Sequence, residues 1–249
     1  MAVENIDHIL QDWPYHPENI NVRELLGADG RNILQMRVDM GLLQLETEGR
    51  PDGRRPHECD TYCDYLESIG KDDEEFVLKE EQCDEADREF VQYYHRRICW
   101  LALRRFEEAV VDAEHTLRLM DVCTKYSPDQ GWTMSHEQYR PYVMFHRTQA
   151  AALSHLEDAV DDPAPERAVE KINQGLDRMY EWFAKHEAEE HFEEHEMVVR
   201  LIKMREDLRD RYKIGRTLQE QLDEAIAKEQ YELAAMLRDQ LSDEDGGKR

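Results

Sequence analysis

The chain has 249 residues, 40% of them hydrophobic, which suffices for one extended domain or two small ones and excludes a disordered chain. Its formal net charge of -25 at pH 7 argues against direct nucleic-acid binding, because a polyanion would be repelled and counterion release would have little to act through. No apolar run reaches the length of a membrane span, and MAVENIDHILQDW lacks the basic, apolar and small-residue order of a secretory signal, so the expectation is a cytosolic (cytoplasmic) protein without membrane contact.

Residues 1 to 30 include Pro14, Pro17, Gly27 and Gly30 and support a short helix near residues 3 to 11 followed by a loop. From 33 to 47, Leu34, Met36, Val38 and Met40 alternate with Gln35, Arg37 and Asp39, which suits a half-buried strand. Ile33, Met36, Met40 and Leu43 also fall at helical spacing, so strand and helix both stay open there. GRPDGRRP follows as a turn, with Pro51 presetting one angle and Asp52-Gly53 tolerating the next two. Arg31, Arg37, Arg50, Arg54 and Arg55 gather in this acidic chain. Guanidinium forks take carboxylates and phosphates bidentately, which makes Arg37, Arg50, Arg54 and Arg55 candidates for anion or carboxylate docking. The favoured alternative is internal pairing with residues 58 to 89, where fourteen acids face three bases.

From 86 onward, Phe90, Tyr94, Ile98, Leu101 and Leu103 sit at core-compatible spacings of a helix, and RFEEAVVDAEHTLRLM continues as a second helix after almost no linker. Phe106, Glu107, Glu108 and Ala109 after the tight turn, with Leu117 packing back, resemble a tetratricopeptide repeat. A looser copy runs from QYRPYVMFHRTQAAALSHLEDA into PERAVEKINQGLDRMYEWF, with Ala150, Ala151 and Ala152 for close packing, Pro165 as a helix start and DDPAP as an insertion between the helices. Two copies are fewer than an isolated solenoid needs, so flanking helices must cap the stack.

Residues 188 to 213 read as the longest helix. Glu187 to Glu196 holds six acids and no Lys or Arg, whereas Arg200 to Arg216 holds seven bases against three acids, a polarity that complements the helix dipole and offers a basic end to an acidic partner. Gly215 supplies the break before the last segment.

LQEQLDEAIAKEQYELAAMLRDQL then forms two short helices. Leu218, Leu222, Ala225 and Ile226 share one face, Lys228-Glu229-Gln230 makes a polar break, and Leu233, Ala234, Leu237 and Leu241 share the second face, with Ala234 and Ala235 allowing close approach. A hairpin this small must dock on the chain, pair with a copy of itself or bind another protein. The leucine-rich first helix, Ala225-Ile226, Tyr231-Glu232, the Ala234-Ala235 pair and Leu237 to Leu241 together resemble the UVR motif, the interaction hairpin at the C-terminus of UvrB, within UvrC and in adaptors of bacterial protease systems. The resemblance implies a bacterial protein and a protein-binding role for Leu218, Leu222, Ile226, Tyr231, Leu233, Leu237, Arg238 and Leu241, with UvrB, UvrC or another UVR-binding protein as partner, or a second copy of the chain. The block DGR, QMRVDMGLLQLE and GRPDGRRP also resembles one in bacterial UVR-motif proteins, and it supplies no activity.

Chemistry is less legible. Five cysteines, Cys59, Cys63, Cys83, Cys99 and Cys123, form no disulfide framework and are expected to be reduced. His57 with Cys59 and Cys63 lacks the second pair of a structural zinc site. His191 and His195 fall at i and i+4, yet His191 is followed by Phe192 rather than the glutamate of a zinc protease, and from His186-Glu187 the next histidine comes one residue late. No phosphate loop, nucleophile elbow or redox pair of cysteines is present. The reading is a mainly α chain, divided as an N-terminal α/β or β-hairpin segment over 1–57, a tetratricopeptide-like body over 58–213 and a UVR-like hairpin with a polar tail over 214–249. It acts as a non-catalytic adaptor without cofactor or metal; the alternative is a metal-binding protein or metal-dependent enzyme built on the His/Glu or His/Cys clusters.

Overall fold

The computed structural model describes residues 5–73, 75–157 and 164–246. The expected helix over 3 to 11, the DDPAP insertion and the polar tail each extend in part outside these residues. The chain forms two compact units, Met1–Ala150 and Ala151–Arg249. It is mainly helical with one small sheet.

The first unit opens with α1 (Asp7–Gln11) and an antiparallel meander of β1 (Asn21–Leu26), β2 (Asn32–Val38) and β3 (Gly41–Glu46) in the order β1-β2-β3. Val22 faces Met36, and Met36 faces Leu43. The alternation over 33–40 is therefore that of a strand, but the segment 33–47 folds as two strands with a turn at Asp39-Met40. β1 lies where the sequence suggested only a loop. Arg37 clamps the β2–β3 turn, donating to the carbonyls of Val38, Asp39 (3.1 Å), Gly41 (2.8 Å) and Trp13 (3.2 Å).

After the turn at Arg50–Gly53, closed by Gly53 N–H donating to Arg50 O at 2.9 Å, come α2 (Tyr62–Asp72), α3 (Glu80–Ala102), α4 (Phe106–Lys125), α5 (Gln130–Glu137) and the start of α6 (Arg140–Glu157). α3 and α4 pack as a pair across the tight turn the sequence indicates. Tyr62, Cys63, Leu66, Phe90, Leu119 and Met120 build the core between α2, α3 and α4. Glu89, fully buried on α3, accepts from the first N–H groups of α2, Tyr62 at 2.7 Å and Cys63 at 3.0 Å, and meets His115 Nε2 at 3.0 Å and Arg50 Nε at 3.5 Å. A carboxylate at a helix N-terminus satisfies orphan donors and opposes the dipole, which offsets part of its dehydration.

In the second unit, α7 (Pro165–Lys185) packs on α8 (Glu196–Tyr212), burying Val169, Ile172, Met179, Val198 and Leu201, and α9 (Leu218–Ala227) packs on α10 (Tyr231–Gly246). α8 starts at Glu196 and not near 188, so α3 is the longer helix. The acid-rich stretch before α8 is a turn with one 3-10 segment at Glu189–His191, because His195 caps α8 by accepting from Met197 N–H at 3.3 Å. His191 and His195 thus share no helical face.

Helix ends follow a common rule. α3, α7, α8 and α9 stop at a left-handed residue, and in each case this is not glycine: Arg104, Glu187, Lys213 and Glu229, with φ of 60°, 53°, 57° and 57°. The next residue donates back across five positions, as in Gln230 N–H to Ala225 O at 2.8 Å and Ile214 N–H to Arg209 O at 3.0 Å, the Schellman arrangement. α8 therefore ends at the left-handed Lys213, the expected C-terminal bound, and Gly215 lies in the connection to α9. Among the described residues, no helix is long and apolar enough to cross a membrane.

Candidate functional site: the C-terminal hairpin

The hairpin begins with a capping box. Thr217 Oγ1 accepts from Glu220 N–H at 3.2 Å while the Glu220 carboxylate accepts from Thr217 N–H at 2.9 Å, which satisfies two donors at the start of α9. Glu220 also accepts from Asn173 Nδ2 on α7 at 3.0 Å and pairs with Arg209 on α8. Partial burial opposes the charge on Glu220, but the hydrogen bonds from Thr217, Arg209 and Asn173 outweigh it and hold the carboxyl below the usual glutamate range. Arg216 pairs with Glu224. The basic end of α8 therefore finds its acidic partner in α9 of the same chain.

The eight residues expected to bind a partner separate into two groups. Leu237 and Ala234 of α10 are buried with Ala225 of α9, and Leu218 and Leu222 pack against them; Leu241 is half-buried. These side chains hold the two helices together. Ile226, Tyr231 and Leu233 are exposed at 54%, 70% and 44%, and Arg238 is exposed as well. Met236 is exposed too, at 61%, and is not singled out by the sequence, where leucine spacing dominates the signal. Leu233 and Met236 are i, i+3 neighbours on α10, and Ile226 and Tyr231 flank the turn.

The arginine candidates behave differently from one another. Arg50 is buried and directed inward, bonded to Glu85 at 2.5 Å and Gln92 at 3.1 Å and close to Glu89. Arg37 is committed to backbone carbonyls. Arg54 and Arg55 remain exposed, Arg55 beside Asp60 at 2.8 Å and Arg54 4.0 Å from Asp52. All of them line an open polar cleft except Arg37. Internal pairing, the favoured alternative, describes Arg50.

Among the described residues, no group of three or more His, Cys, Asp or Glu is placed to hold a metal ion. His186 Nδ1 lies 2.7 Å from Trp182 O, and His57 stacks on Tyr65 with ring centroids 3.8 Å apart. Cys63 is buried, which pushes its thiol up to about 12, and the five cysteines are free.

The two helices thus form a small hairpin with a filled seam and several apolar side chains left exposed. Residues 216–243 match the UVR family, described as the UvrB/uvrC motif, which is known from DNA repair and protein-interaction settings. Comparison with curated proteins gave no match, and comparison with solved structures gave none.

Proposed function

We propose that this chain is a non-catalytic cytoplasmic adaptor of bacterial type, whose C-terminal hairpin captures a protein partner through Ile226, Tyr231, Leu233 and Met236. The observation that carries this reading is that a hairpin matching a protein-interaction motif keeps these four apolar side chains exposed after its own seam is filled. Large apolar side chains left exposed on a short hairpin mark interaction surfaces. The helix pair α3–α4, in which Phe106 to Ala109 follow the tight turn as in a tetratricopeptide repeat, supports a body that holds a second protein. The partner classes that fit are UvrB or UvrC, which would link the adaptor to nucleotide excision repair, another UVR-binding protein in protein quality control, and a second copy of the chain paired through the hairpin.

The test is affinity capture from native lysate with the full chain, a chain ending at Gly215, and a Leu233→Lys/Met236→Lys double variant. Loss of the same protein from both altered chains supports the reading. Equal recovery by all three sinks it, and self-association is read from sedimentation of the full chain at rising concentration.

A further inference from the structure

The first unit contains a cavity of about 640 Å³ between α3, α4, α5 and the start of α6. That volume falls within the range of small-molecule sites. Its wall is mostly apolar and aromatic. Phe90, Tyr94 and Arg97 project from one face of α3, Thr116 comes from α4, and Tyr139 and Tyr142 come from the opposite side. Tyr94 and Tyr139, 38% and 59% exposed, stand at the opening, although Tyr94 carries the spacing of a core residue.

Arg97 is the unusual member. Its side chain is buried, 2% exposed, and its charge meets no carboxylate among the described residues. Nη1 donates to Thr116 Oγ1 at 2.8 Å and Nε to His146 Nδ1 at 3.4 Å, while Nη2 donates to no group among the described residues. Asp112 of α4, whose charge acts on Arg97 through space, is itself bonded to the neighbouring Arg96, which donates from Nε at 2.9 Å and Nη2 at 2.7 Å. His146 is kept neutral, since burial and the guanidinium beside it both oppose a second positive charge. A buried guanidinium with no carboxylate bonded to it is unfavourable, and a ligand anion in the cavity removes that deficit.

We infer that this cavity binds a small amphipathic carboxylate, with its anionic end on Nη2 of Arg97 and an aromatic or branched apolar body against Tyr94, Tyr139 and Tyr142. The free Nη2 of Arg97 selects the anion, since Asp87, the carboxylate in the lining, is engaged by His136 Nε2 at 2.9 Å and Trp132 Nε1 at 3.2 Å, and the enclosed position of Arg97 behind aromatic walls selects a small molecule over a peptide side chain. No step of the adaptor reading depends on this site.

Calorimetric titration of the full chain with 4-phenylbutyrate and with its neutral amide tests the inference. The acid binds at least tenfold more tightly than the amide, and the preference disappears in Arg97→Gln. Should Arg97→Gln fail to fold, Tyr139→Ala at the exposed rim decides, by weakening the acid at least threefold while leaving the circular dichroism spectrum unchanged. Equal affinity for acid and amide, no binding of the acid at millimolar concentration, unchanged binding in Tyr139→Ala, or binding of an acidic peptide in place of the acid overturns it.

Discussion

Asn173 Nδ2 on α7 donates to the Glu220 carboxylate on α9 at 3.0 Å across forty-seven residues of sequence. The same carboxylate caps α9, so the first turn of the hairpin and its attachment to α7 and α8 depend on one side chain. Glu220→Ala should cost about 1–2 kcal/mol, in the range of a lost helix cap, and hydrogen exchange should speed up in α9 ahead of α7. Because the folded carboxyl titrates below its unfolded value, this contribution is present at neutral pH and is lost as pH falls through the folded value. The variant should therefore show less acid sensitivity in α9 exchange than the parent chain.

Leu233→Lys and Met236→Lys should leave the melting temperature nearly unchanged, since exposed substitutions fall within about 0.5 kcal/mol. Leu237→Asp is the contrasting case. It places a carboxylate in the seam beside Ala225 and Ala234, and should unfold the hairpin itself, seen as loss of exchange protection over 218–241. Partner loss in Leu237→Asp alone would thus report folding, while partner loss in the lysine variants reports contact.

Glu229→Gly should stabilise the hairpin by roughly 1 kcal/mol, because the left-handed conformation that ends α9 disfavours a side chain and suits glycine. Urea denaturation of the α9–α10 region, followed by a fluorophore in α10, measures it; a decrease in midpoint would contradict the assigned turn.

Gly70 on α2 lies directly against Tyr126, and a Cβ built there would overlap the tyrosine ring. Tyr126 is buried and its carbonyl accepts from Leu78 N–H at 2.9 Å, so it has little room to yield. Gly70→Ala should destabilise the first unit by about 1–3 kcal/mol in chemical denaturation, despite the better helix propensity of alanine.

Burial first, and Arg97 second, depress His146 to about 3. The unfolded chain takes up a proton near pH 6.5 that the folded one refuses, so stability is complete above that pH and falls as pH drops below it, by at most about 1.4 kcal/mol per unit. Comparing urea midpoints at pH 7 and pH 5, His146→Gln should flatten the dependence relative to the parent chain.

Periodicity located α3, α4, α6, α7 and the terminal hairpin, because each presents a continuous apolar stripe over several turns. It did not locate β1, whose Val22, Leu25 and Leu26 do not alternate cleanly, nor α2 and α5, which are short and rich in polar residues. The four helix ends at Arg104, Glu187, Lys213 and Glu229 were hidden for a different reason: the left-handed turn is imposed by main-chain hydrogen bonds, without the glycine that usually marks it. Within the hairpin, the leucine pattern identified a packed seam and an outward face together, and only burial separates Leu222 and Leu237 from Leu233 and Met236. The cavity beside Arg97 draws on four helices, so no single stretch of sequence announces it.

Glu89 gives the first unit its assembly logic. Arg50, the opening N–H groups of α2 and His115 of α4 all converge on this one carboxylate. Each of them offsets part of the cost of burying this carboxylate, so the loss of any one weakens the others' setting and couples the loop, α2 and α4 energetically. A fragment starting at residue 58 would keep Glu89, the α2 N–H groups and His115 but lose Arg50, so the loop that trails the sheet contributes to the stability of the helices beside it.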